Sequence, residues 1–108
     1  MGTLLDQYIV YNGKKIYCEQ YEHGISLTIE PQDIKDITSL EGLEDLESLG
    51  SLYLNANKIS EIKGLDSLVN LKELYLEGNR ITEINGLDAL KNLKILYLGG
   101  NKIKEIKG

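Results

Sequence analysis

Cys18 and His23 are the residues best suited to nucleophilic or metal chemistry, and each is the only one of its type in the chain. They stand five positions apart. That spacing makes neither a zinc pair nor a nucleophile–base couple without further ligands. His23 falls in an expected turn, Glu22-His23-Gly24, and reads as a surface residue. Cys18 reads as a small apolar residue, buried or partly so, and a lone cysteine excludes an internal disulfide. Gly99-Gly100 belongs to a turn that recurs along the chain, so it is not a phosphate cradle. No dinucleotide fingerprint, phosphate loop or calcium loop is present. The 17 carboxylates lie at no spacing that calls for an acid–base pair. These residues predict a protein that is not an enzyme and uses neither metal nor cofactor.

The residues that do recur are asparagines. Asn57, Asn79 and Asn101 stand in three segments that align without gaps, each starting 22 residues after the last. The segments are Leu52-Tyr53-Leu54-Asn55-Ala56-Asn57-Lys58-Ile59, Leu74-Tyr75-Leu76-Glu77-Gly78-Asn79-Arg80-Ile81 and Leu96-Tyr97-Leu98-Gly99-Gly100-Asn101-Lys102-Ile103. Each asparagine follows an apolar run at the point where the chain must bend inward. An amide buried there can bond backbone groups that the bend leaves unpaired, and stacked copies form a structural ladder.

Two periodicities alternate within each unit. Leu-x-Leu has period two, the signature of a strand with one buried face. The intervening stretch has apolar residues at every third position, as in Ile59, Ile62, Leu65, Leu68 and Leu71. That spacing suits tight turns or 3₁₀ helix and not α-helix. A glycine recurs at Gly42, Gly64 and Gly86, and Gly108 has the same phase. It supplies a positive φ or permits close packing. Carried backwards, the register gives Ile37, Leu40, Leu43, Leu46 and Leu49, with Leu27-Thr28-Ile29 as the candidate strand of a degenerate first unit. An extra triplet from Ile34 to Ile37 makes that unit about three residues longer.

Residues 1–26 lack the repeat. Apolar and aromatic runs flank Asn12-Gly13, a strong hairpin signal, between Tyr8-Ile9-Val10-Tyr11 and Ile16-Tyr17-Cys18. A terminal unit of an array needs a cover with one polar face, so the expected organisation is a cap over 1–26, β-hairpin or helical, and three to four repeats over 27–108. The last unit stops inside its return arm. Either its edge is frayed, the chain belongs to a longer array, or the edge pairs with another copy.

The consensus L-x-x-L-x-L-x-x-N-x-I-x-x-I-x-G-L resembles the short 22-residue class of leucine-rich repeats, which includes the bacterial internalins and the nuclear leucine-rich regulatory subunit of phosphatase-1. The resemblance covers residues 27–108. It implies an α/β solenoid, a right-handed superhelix with a parallel sheet on the concave side and 3₁₀ or extended segments on the convex side. It also implies protein binding through the concave face.

With the leucines inward, the residues between and beside them face out. These are Ser51, Tyr53 and Asn55 in the first unit, Glu73, Tyr75 and Glu77 in the second, and Ile95, Tyr97 and Gly99 in the third. Tyr53, Tyr75 and Tyr97 are expected to stack across strands about 4.8 Å apart. They serve either as a shield for the sheet or as a stripe that binds a protein or peptide. The alternative function is a structural, self-assembling unit joined through its open C-terminal edge. The net charge of −5 weighs against nucleic acid as a partner. The charge is uneven, with ten acidic and three basic residues before position 51 and seven and nine after it. No run of 18 apolar residues and no secretory signal is visible, so a cytoplasmic location without membrane attachment is expected.

Overall fold

Asn12 and Gly13 both adopt positive φ, 51° and 75°, as a two-residue type I′ turn requires. They join strands β1 (Gly2–Tyr11) and β2 (Lys14–Tyr21) into an antiparallel hairpin. The computed structural model describes residues 2–22 and 24–106, with side chains from residue 6 onward. His23 and Gly108 therefore lie outside the described residues.

Strand β3 (Gly24–Thr28) is antiparallel to β2 on one side and parallel to β4 (Leu49–Tyr53) on the other. The array then continues with β5 (Glu73–Tyr75) and, after a short convex strand β6 (Glu83–Ile84), β7 (Ile95–Tyr97). A last convex strand, β8 (Glu105–Ile106), pairs parallel with β6. The main sheet has the order β1-β2-β3-β4-β5-β7. Parallel neighbours are joined by a full coil each, so the array is a β-solenoid. The expected first strand, Leu27-Thr28-Ile29, overlaps β3. Leu27 pairs with Leu52, Leu52 with Leu74 and Leu74 with Leu96. The first coil is thus three residues longer than the two that follow.

The return arms explain the period of three. The amide of Leu68 bonds the carbonyl of Leu65 at 2.9 Å, and that of Leu71 bonds Leu68 at 3.0 Å. The pair Leu90–Leu87 at 3.0 Å and Leu93–Leu90 at 3.2 Å repeats this in the next coil. A chain of i→i−3 bonds brings every third side chain to one side. In the first coil the same bonding forms 3₁₀ turns at Ile37–Ser39 and Leu43–Asp45. No α-helix occurs among the described residues.

Both periodicities aim at one aliphatic core. Leu52, Leu54, Leu74 and Leu76 from the strands and Ile59, Leu65, Leu68 and Leu71 from an arm are all 0% exposed. Burying each such side chain contributes roughly 1.5–3 kcal/mol before entropy is counted. Ile9 and Cys18 of the hairpin join this core, with Tyr11 and Ile16 packed against it. The hairpin is also tied to the first return arm. Val10 and Glu41 exchange two backbone hydrogen bonds, each of 2.9 Å. Between Thr3 and Tyr8 the register of β1 shifts by a bulge, which bends a strand out of the plane of its sheet.

The recurring glycine meets both demands read from the sequence. Gly64 and Gly86 have φ of 77° and 73°. A Cβ on Gly64 would lie 2.9 Å from Thr38 Cγ2, and one on Gly86 would run into the Ile62 carbonyl oxygen. At the turn after the strand, Gly78 and Gly100 have φ of 69° and 72°, while the equivalent Ala56 has 58°. An L-residue there costs about 1–2 kcal/mol. Part of that is offset by the lower entropy of unfolded alanine. Ala56→Gly is therefore expected to stabilise the fold by about 0.5–1 kcal/mol. A higher urea midpoint at unchanged m-value is the readout; no gain would contradict strain at this turn.

Candidate functional site, the concave face

Alternation along β4, β5 and β7 puts the leucines inside and leaves Ser51, Glu73 and Ile95 in one cross-strand row, with Tyr53, Tyr75 and Tyr97 in the next. The three rings form a column. Tyr53 and Tyr75 stack at 4.2 Å between centroids and 3° between planes, and Tyr75 and Tyr97 at 5.1 Å and 19°. The rings shield one another, so Tyr53 and Tyr75 are half-buried, whereas Tyr97 is 47% exposed.

The polar residues around the column are held in place. Tyr75 Oη donates to Glu73 Oε1 at 2.8 Å, and Ser51 Oγ donates to the same oxygen at 3.3 Å. The Glu73 carboxylate first, and burial second, hold the Tyr75 hydroxyl well above the usual phenol range. Asn55 Oδ1 accepts the Glu77 amide at 2.7 Å, so Asn55 links two coils. Glu77 Oε2 lies 3.8 Å from the position a Cβ on Gly99 would take. The described ion pairs, Lys58–Asp33 at 3.3 Å and Lys63–Asp36 at 3.4 Å, involve neither Glu73 nor Glu77.

Asn57, Asn79 and Asn101 bond backbone and not one another. Asn79 Oδ1 accepts the Ile59 amide at 3.1 Å. Its Nδ2 donates to Leu76 O and Leu54 O at 3.0 Å each, one in its own coil and one in the coil before. Asn101 repeats the pattern with Ile81 N at 2.9 Å, Leu98 O at 2.9 Å and Leu76 O at 2.8 Å. Asn57 closes the longer first coil by accepting from Gln32 N at 2.9 Å and Ile34 N at 3.2 Å. Each amide thus rivets two coils at the bend, and Asn57 and Asn79 are buried.

A depression of about 580 Å³ opens at the β3 end of this face, lined by Tyr21, Ser26, Ser51, Tyr53, Lys72 and Glu73 among others. Ser26 pairs with Ser51 across β3 and β4 and is 4% exposed. Its Oγ is the one buried side-chain polar atom among the described residues without a hydrogen-bond partner. Tyr21, Ser26 and Lys72 escape a reading of the repeat consensus. The signal for Ser26 is present, because adding the extra triplet to the 22-residue offset places it in the row of Ser51 and Glu73.

Elsewhere, burial pushes the Cys18 thiol up to about 11, so it stays protonated at neutral pH and is a poor nucleophile. Among the described residues no group of three or more His, Cys, Asp or Glu is placed to hold a metal ion. No helix among them is long and apolar enough to cross a membrane.

The coils and their riveting asparagines define the class, a parallel β-solenoid of short repeats. Residues 69–108 match a family model described as leucine-rich repeats in two copies. The match and the fold agree that residues 69–108 carry leucine-rich repeats, and the same coil continues back to β3. Comparison with curated proteins returns no match. Leucine-rich repeats are commonly protein-interaction modules, and solenoid curvature creates the extended concave surfaces such modules use.

Proposed function

We propose that this chain binds another protein or peptide through its concave face, without catalysis. In this reading residues 1–26 are the cap and 27–108 the binding array. The contact residues are Tyr53, Tyr75 and Tyr97 with Ser51, Asn55, Glu73, Glu77 and Ile95. The observation that carries the reading is the continuous tyrosine column. Three half-exposed rings in register offer apolar area and hydroxyl groups at low entropic cost, and their backbone is fixed by the asparagine rivets. In this reading the protein works in the cytoplasm.

The test is Tyr75→Ala, measured against a partner identified by affinity capture. Truncating the centre of a hot spot costs at least about 2 kcal/mol of binding, roughly 30-fold in Kd. The urea midpoint should report a smaller loss of folding stability. Equal losses of binding and stability would assign the column to the fold alone.

A further inference from the structure

Among the outward-facing residues that alternate with the buried leucines of β4, β5 and β7 and the turns that follow them, only those of the middle unit are charged. Glu73 and Glu77 flank Tyr75 on β5 and on the turn that follows it. The corresponding positions on β4 and β7 are Ser51, Asn55, Ile95 and Gly99, all uncharged. Neither glutamate meets a cation in the described ion pairs. The face is therefore acidic at its centre and aromatic along its length. Beside Glu73 lies the depression, with the unpartnered Ser26 hydroxyl among the groups that line it. A buried hydroxyl without a partner carries a penalty that a ligand can relieve. Ser51 spends its proton on Glu73, so its lone pairs are left to accept. The groups in this corner are suited to receive N–H donors between aromatic rings.

We propose that the partner presents an extended basic segment, with an arginine or lysine seated in the depression against Glu73 and a second cation against Glu77. A guanidinium can bridge a carboxylate and neighbouring hydroxyl oxygens while lying against a tyrosine ring. Lys72 also lines the depression. Its like charge confines an incoming cation to the Glu73 side. This inference rests on the concave-face reading above and adds to it the chemistry of the partner.

The experiment uses the full chain and fluorescein-labelled decapeptides with arginine at alternate positions and serine between. Glutamine and glutamate replace arginine in two controls. By fluorescence anisotropy, the arginine peptide is expected to bind at least about tenfold more tightly than the glutamine peptide. Its affinity should fall as added salt shortens the screening length from about 10 Å to about 3 Å. The glutamate peptide should not bind. Glu73→Gln and Glu77→Gln should each weaken the arginine peptide about tenfold. Ser26→Ala should weaken it several-fold while leaving the urea midpoint equal or higher, because it removes an unpaired buried hydroxyl. Should a glutamate variant fail to fold, Lys72→Glu leaves Glu73 intact and is expected to tighten binding.

Equal binding of the arginine and glutamine peptides overturns the proposal, as does indifference to both Glu73→Gln and Lys72→Glu. Absence of binding by any peptide overturns it too. In those cases a partner lost on Tyr75→Ala would leave the concave-face reading standing. Arginine-peptide binding that survives both Tyr75→Ala and Glu73→Gln would sink the two together.

Discussion

Gly86→Ala is expected to destabilise the array by about 2–5 kcal/mol. Two costs combine. The backbone has φ of 73°, where a Cβ strains the chain by about 1–2 kcal/mol. The added methyl also runs into the Ile62 carbonyl oxygen of the coil before. That oxygen belongs to backbone and cannot swing aside, so the coils must part, at about 1–3 kcal/mol for overpacking. For a domain of this size the sum is a large fraction of total stability. Urea denaturation followed by tyrosine fluorescence and circular dichroism measures it. Gly99→Ala is the control. Its φ lies outside the left-handed region, and its nearest prospective contact is Glu77 Oε2 at 3.8 Å. It should cost no more than about 0.5 kcal/mol. Similar losses at the two positions would show that the coils do not approach as closely at Gly86 as described.

Asn79→Ala is expected to cost about 2–4 kcal/mol. The side chain makes four hydrogen bonds, to Ile59 N, Leu54 O, Leu76 O and Glu77 O. The first three are buried. Alanine leaves the Ile59 amide unpaired away from water, at roughly 1–3 kcal/mol, while Leu54 O and Leu76 O lose one bond each and keep those from Asn57 Nδ2 and Asn101 Nδ2. Asn101→Ala should cost less, because its bonds are part-buried or exposed and water can replace them. Hydrogen exchange gives a local readout, since the Ile59 amide should lose protection beyond that explained by global stability. Asn79→Asp keeps the acceptor for Ile59 N but turns oxygen toward carbonyls that need a donor. It should be at least as damaging at neutral pH. An Asn79→Ala variant as stable as Asn101→Ala would remove the rivet from the account of the fold.

The reach of the sequence is clear at particular residues. Leu52, Leu74 and Leu96 gave the strand register, and the triplet ending at Ile37 gave the longer first coil. Asn12-Gly13 gave the hairpin turn. Each is a local rule in which a period or a turn residue specifies the backbone nearby. The tyrosines were legible as a column for the same reason, since strands in register bring equivalent residues side by side. Their mutual shielding was not legible, because ring planes depend on rotamers chosen together. The 22-residue recurrence of the asparagines specifies a ladder, whereas the bridge each makes from its own coil to the one before follows only from how the coils stack. The pairing of Glu83–Ile84 with Glu105–Ile106 into a second sheet leaves no sequence signal, since two-residue strands carry no period.

On the concave face the division is sharpest. Sequence alone determined which side chains of β4, β5 and β7 turn outward, because alternation with buried leucines leaves them no other direction. Tertiary structure alone decided what those side chains do to each other. It set Glu73 under the hydroxyls of Tyr75 and Ser51. It brought Tyr21, from outside the repeat, to the edge of the depression that Ser26 lines. Such contacts join residues from different coils and from the hairpin. Their distances follow from how whole coils stack, which no local spacing encodes.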